Sequence, residues 1–324
     1  MFYYLLTKAN CNLDYALLIV GAFLLSFFAL KLFMRVLPKD QGRQFAVNGA
    51  LSEGKPRGAG IVFITSFVLS CALFIPLNWE QVINLLLVYA AMMTGFLDDA
   101  AEKPWGELKK GLLDVIISAG ISLNFVLHNS TDILLFNSQL YLPKAVYFVL
   151  GMILVWASIN VTNCSDGVDG LCGSLSITTL LLFEYLLKNS PIVVKNDSSY
   201  IGMINTAMVM TLLAYLWYNA SPSKLLMGDA GSRAIGVFIA VIAMQSMHPL
   251  MFIPLAIVLI LDGGLGLVKL TVRRVLKNKT FMQNIRTPLH DHARKNKNWS
   301  DTQVVIRFVI LQAVIGLAAL CIIR

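Results

Sequence analysis

Charge is scarce in this chain. Only 14% of its 324 residues are charged, against about 25% in ordinary soluble domains. A soluble enzyme is a poor reading, because too little polar surface is left to cover the apolar remainder. Cysteine is also sparse: Cys11, Cys71, Cys164, Cys172 and Cys321 are scattered with no C-x-x-C pair. That excludes a zinc or disulfide framework. Only four histidines occur. No basic region precedes the first apolar run, so a cleaved signal peptide is not expected. The apolar runs do not alternate, which argues against a transmembrane barrel. Neither an internal repeat nor a soluble second domain is visible, so residues 1–324 read as a single transmembrane domain.

What is abundant is apolar sequence, 57% of the chain. Runs approaching 20 residues recur from end to end, the mark of an all-α, polytopic membrane protein. Ten spans are predicted, near 15–35, 58–76, 81–97, 111–128, 144–163, 171–187, 200–218, 232–247, 249–270 and 303–323. The loops after the odd-numbered spans, with their flanks, hold 21 of the 26 Lys and Arg residues. The positive-inside rule places those loops in the cytoplasm and both termini outside. The net charge of +8 then reports loop orientation and anionic headgroups, with the bilayer and not nucleic acid as the partner. Among the outer loops, 129–143 alternates enough to form a short hairpin, and 188–199 reads as a plain connector.

The polar clusters fall on the predicted cytoplasmic side. Asp98-Asp99 closes the third run, where the helix dipole disfavours acids. Adjacent helical residues point about 100° apart, so the two carboxylates cannot address one ion symmetrically. The stretch NVTNCSDGVDGL (160–171) carries Asn160, Asn163, Asp166 and Asp169 around Gly167 and Gly170, and predicts a helix break. Such a break suits a nucleotide, with backbone N–H groups for phosphate and carboxylates for base or sugar. LLMGDAGS (225–232) offers a phosphate-cradling turn and Asp229, a hard oxygen ligand suited to Mg²⁺. An N-cap role for Asp229 or Ser232 is compatible with that. Asn219 can add a carboxamide. RTPLHDHARKNKNW (286–299) sets His290 and His292 around Asp291, readable as a diphosphate grip or a lipid-facing basic patch. GKPRGAG (54–60) brings Lys55 and Arg57 ahead of the second run, and Lys109 and Lys110 open the fourth; each reads as an interfacial anchor or a substrate contact. Asp262 is a further buried acid, for which Lys269 is a candidate partner.

FLDD (96–99), NVTNCSDGVDGL, MGDAGS (227–232), PLHDH (288–292) and WSDTQVVIRF (299–308) resemble the polyprenyl-phosphate N-acetylhexosamine-1-phosphate transferases along nearly the whole chain. The last motif is most similar to the branch using UDP-MurNAc-pentapeptide. The resemblance implies a multi-pass enzyme of the bacterial cytoplasmic (inner) membrane, often a homodimer. Such an enzyme uses Mg²⁺ to move a sugar phosphate from a UDP-sugar donor to undecaprenyl phosphate, releasing UMP. It further implies Asp229 as metal ligand, and Asp98 and Asp99 near the acceptor phosphate, with Asp98 either taking a proton or orienting. His290 is implied as catalytic. Asn163, Asp166, Gly167, Val168, Asp169, Asn219, Leu226, Lys110 and His292 are implied as substrate contacts. This sequence departs from the family in three places. Asp291 replaces a middle histidine, Leu226 replaces a phenylalanine that stacks on uracil, and 54–60 is closer to the UDP-N-acetylglucosamine branch. That branch is the alternative substrate reading. An ion-coupled transporter is the rival from another class, since intramembrane acids and broken helices are its signature too.

Overall fold

The computed structural model describes residues 13–42, 52–101, 103, 105–135, 138–189, 199–277 and 280–323. Both chain ends, most of the 188–199 connector, and Lys8, Cys11, Arg43, Lys195, Lys279 and Arg324 lie outside the described residues. Helices stand at all ten predicted positions: α1 (Leu13–Phe33), α2 (Gly60–Phe74), α3 (Trp79–Asp99), α4 (Glu107–His128), α5 (Lys144–Cys164), α6 (Leu171–Asn189), α7 (Ser199–Asn219), α8 (Gly228–Gln245), the bent pair α9 (Pro249–Leu255) and α10 (Ile257–Val275), and α12 (Asp301–Ile323). A short helix, α11 (Leu289–Lys297), precedes the last. Among the described residues, seven helices qualify by length and apolarity as crossing the membrane, or eight if the bent pair counts as one. Of the rest, α2 has only 15 residues and α8 carries Asp229 and Arg233 near its start. The predicted hairpin is present as β1 (Asp132–Leu135) antiparallel to β2 (Ser138–Tyr141), with Asp132 opposite Tyr141.

Local chemistry sets the ends. Asn78 caps α3 in a reciprocal capping box with Gln81, which satisfies two otherwise orphaned N–H groups. Between α5 and α6 the chain turns through 165–170, ending on Gly170 at φ +80°, where the helix break was expected. The run 249–270 is not one straight span. It bends by 72° and continues to Val275, with a π-helical turn over Ile260–Gly264. Such a break inside a bilayer leaves backbone groups without water, so something must satisfy them. Here Gln312 of α12 does so, accepting from Val258 N at 2.8 Å and donating to Leu255 O.

The helix at the centre is α8. Its residues from Ala230 to Met244 are all buried, and it packs against α2, α3, α5 and α6. From residue 234 to 244 it is apolar all round, and such a stretch belongs at the centre. By contrast α1 and α12 bury only 22% of their apolar windows and turn the rest outward, as lipid-facing helices do. The stretch 160–171 therefore borders the organising element, and the element itself is α8 with its N-terminal MGDAGS.

Candidate active site

The N-terminus of α8, the C-termini of α3 and α5, and the N-termini of α4 and α6 converge. Five helix ends thus supply one cluster, tied together by the side chains that follow.

Asp98 and Asp99 face different cations, as their angular offset requires. Lys110 Nζ sits 2.5 Å from Asp98 Oδ2 and 3.5 Å from Asp229 Oδ2. Trp105 N donates to Asp98 Oδ1 at 2.6 Å, and Lys109 lies over the Trp105 ring. Asp99 instead accepts from Arg57 Nε at 2.9 Å and from Ala230 N at 3.3 Å. The second bond puts a carboxylate at the N-terminus of α8, where the dipole favours it. Gly228 makes that approach possible: it holds φ +67°, and a Cβ there would lie 2.1 Å from Asp99 Oδ2. Arg57 also reaches Asp40 Oδ1 at 3.0 Å and comes within 3.7 Å of Asp229 Oδ1. Burial alone would lower the Arg57 pKa, but Asp99, Asp40 and Asp229 outweigh it and hold the guanidinium well above its ordinary value. Four carboxylates thus surround two cations.

A second group adjoins the first. Asn163 Nδ2 donates to Ser232 Oγ at 2.9 Å, tying the end of α5 to α8. Asp169 Oδ2 accepts from Ser223 N at 2.9 Å and lies 3.7 Å from Lys55 Nζ. Lys55 and Arg57, two residues apart, thereby connect the two groups. Asp166 is partly buried in the turn, Gly167 is exposed and Val168 is buried. Gly167 backs onto His290: a Cβ there would lie 2.3 Å from His290 Nε2. His290 is buried and donates its backbone N–H to Asp262 Oδ1 at 2.8 Å, while its Nδ1 lies 2.8 Å from Asp262 Oδ2. A carboxylate only accepts, so Nδ1 carries a proton in this pair. Arg294 donates to Gly167 O at 3.2 Å and to Asp291 at 2.7 Å.

The remaining predicted positions have the following partners. Asp262 pairs with His290, and Lys269 instead donates to Ile285 O at 2.6 Å. Asn219 is buried, and its carboxamide accepts from Gly170 N and donates to Leu225 O, both at 2.9 Å. It braces two loops of the site. Leu226 is partly buried and its backbone bonds to Pro56 and Ala59. His292 is partly buried and accepts from Arg286 N at 3.3 Å. Asn160 donates to Trp156 O in its own helix. Two features escaped the sequence reading. One is Asp40, an unremarkable acid in a basic loop. The other is a buried ion pair, Asp114 with Arg233, one turn inward from Lys110 and Asp229. A charged residue four places along the same helix was the available signal.

Among the described residues no three His, Cys, Asp or Glu side chains form a ready metal shell. Mg²⁺ does not need one, since it is usually held by one or two carboxylates together with waters and substrate phosphates. Asp98 and Asp229 already turn oxygens towards one shared cation, the Lys110 ammonium. The donor set fits a hard divalent ion.

Comparison with known proteins gives the family. Residues 81–247, from α3 to the end of α8, match the family described as Glycosyl transferase family 4. The phospho-N-acetylmuramoyl-pentapeptide-transferase of Treponema pallidum is 38% identical over 303 residues, covering 88% of this chain and 83% of the relative. The protein of that name from Nitratiruptor is 26% identical, with 92% and 91% covered. The Helicobacter pylori protein is 27% identical, with 82% and 80% covered.

Proposed function

The chain belongs to glycosyl transferase family 4, and from that premise we propose that it transfers phospho-MurNAc-pentapeptide from UDP-MurNAc-pentapeptide to undecaprenyl phosphate, giving the lipid-linked sugar diphosphate and UMP. Family membership sets the transporter reading aside. The observation that carries the chemistry is the convergence of Asp98, Asp99 and Asp229 on Lys110 and Arg57 at the ends of the helices. In the proposed reaction an oxygen of the lipid phosphate attacks the phosphorus next to the sugar. The P–O bond to the uridine-side phosphate breaks, and UMP leaves. Both reactants are anions, so the site must offset their repulsion. Mg²⁺ on Asp229, with Asp98 beside it, would withdraw charge from the diphosphate oxygens. Lys110, held by Asp98, adds a fixed positive charge. Asp98 orients the acceptor phosphate; its second pKa of about 6 makes a dedicated base unnecessary. Asn163, Asp166, Gly167, Val168 and Asp169 form the uridine side, completed by His290. Leu226 and His292 are placed at the donor, and Asn219 supports that wall from behind.

We further take the molecule to cross the bacterial inner membrane ten times, with both termini outside, the site on the cytoplasmic face and a homodimer as the assembly. The Lys/Arg distribution supports the orientation. A second donor, UDP-N-acetylglucosamine, is favoured by one observation, the entry of Arg57 from GKPRGAG into the carboxylate cluster. The test is UMP release by purified protein with Mg²⁺, undecaprenyl phosphate and each UDP-sugar in turn. Release with the muramoyl donor alone is expected. Release only with UDP-N-acetylglucosamine selects the second reading, and release with neither defeats both.

A further inference from the structure

The stretch Gly54–Gly60 has so far only connected the two groups. It is laced on both sides by backbone hydrogen bonds. Asp40 N donates to Lys55 O at 2.9 Å and Arg57 N to Pro38 O at 2.8 Å on one side. On the other, Leu226 N donates to Pro56 O at 2.8 Å, and Ala59 N and Gly60 N donate to Leu226 O and Met227 O at 3.0 and 3.1 Å. Arg57 is thus anchored directly beside the segment that leads into Gly228 and Asp229.

Its side chain is anchored as firmly. Nε lies 2.9 Å from Asp99 and Nη1 3.0 Å from Asp40. Asp40 is itself buried and accepts from Ser52 Oγ at 2.6 Å and Gly42 N at 3.3 Å. The third arm is looser, with Nη2 3.7 Å from Asp229 Oδ1. A guanidinium has a rigid planar fork, so fixing two arms fixes the third. Asp99 and Asp40 therefore hold a full positive charge near Asp229 without letting it close on that carboxylate.

We infer that Arg57 and Asp40 are a positioning pair that tunes how tightly Asp229 holds a divalent cation: Arg57 competes with the cation for Asp229, and Asp40 keeps that competition partial. The inference rests on Asp229 as the metal ligand. The trade-off has a purpose in the proposed reaction. A cation held too tightly by protein carboxylates gives less of its charge to the diphosphate, and a guanidinium beside it supplies positive charge of its own.

The experiment titrates the full-length, detergent-solubilised protein with Mn²⁺ alone and reads free Mn²⁺ by electron paramagnetic resonance. Arg57→Gln keeps a hydrogen-bonding side chain and removes the charge. Its Mn²⁺ affinity should rise by roughly tenfold, since a unit charge near 4 Å is removed, while turnover falls. Asp40→Asn should move affinity the other way. A role in folding alone would weaken binding and turnover together, so unchanged or weaker Mn²⁺ binding in Arg57→Gln overturns the inference. If that variant does not fold, Arg57→Lys decides. It keeps the charge but loses the fork, so Mn²⁺ affinity should stay within about threefold of wild type while turnover drops; a parallel loss of both overturns the pairing. Asp229→Asn is the control for the premise. Wild-type Mn²⁺ binding in that variant defeats the metal assignment and this inference with it. Lost binding there, with Arg57→Gln unchanged, defeats the inference alone.

Discussion

His290 and Asp262 lie 28 residues apart and share two hydrogen bonds, one from the backbone and one from the ring. That arrangement fixes both the position and the tautomer of the imidazole. Asp262→Asn would present an amide N–H₂ to Nδ1 and favour the opposite tautomer. Steady-state kinetics should then show turnover lowered by about 10²-fold or more, with donor KM little changed. Unaltered turnover would reduce Asp262 to a packing group. The sequence showed Asp262 as a buried acid but could not show its partner. Lys269 was the nearest candidate along the chain. The π-helical turn and the bend at 256 carry the helix to a different neighbour. Asp98 and Asp99 were more legible, because the offset between adjacent helical residues dictates two separate partners. Which two cations those would be depended on tertiary packing.

On α8, Asp229 and Arg233 sit one turn apart, and on α4 Lys110 and Asp114 do the same, so two facing helices carry two stacked ion pairs of opposite sense. The outer pair borders the site. The inner pair is buried, with the side chains of Arg233 and Asp114 only 5% and 6% exposed. Removing one partner of such a pair strands a charge. Asp114→Ala should therefore destabilise the protein by roughly 3–5 kcal/mol. The double replacement Asp114→Leu with Arg233→Met should recover most of that loss. Unfolding in a mixed-micelle denaturant series measures both; a double variant as unstable as the single one would refute the pairing energetics. The four-residue spacing on each helix could be read directly. That the two helices face each other could not, because periodicity describes a helix surface and not its neighbour.

For the molecule as a whole, the apolar runs, the polar ends and the hairpin at 132–141 were all legible, since each follows from local patterning. The bend was not, because Gln312, which satisfies its freed backbone groups, lies more than 50 residues further on. The orientation proposed above has a direct check. Single cysteines introduced at Ser138 and at Lys277 in an otherwise cysteine-free chain should label from opposite sides of the membrane, Ser138 in intact spheroplasts and Lys277 only in inverted vesicles. The reverse pattern would turn the molecule over and move the site to the other face. The cluster itself draws on residues from Asp40 to His290, and that spread bears on how the protein is made. A growing chain that has just inserted α8 already holds Asp98, Asp99, Lys110 and Asp229, yet still lacks Asp262, His290 and the Gln312 that secures the bend. Unfinished chains therefore lack part of this cluster, which is assembled only once α11 has been made.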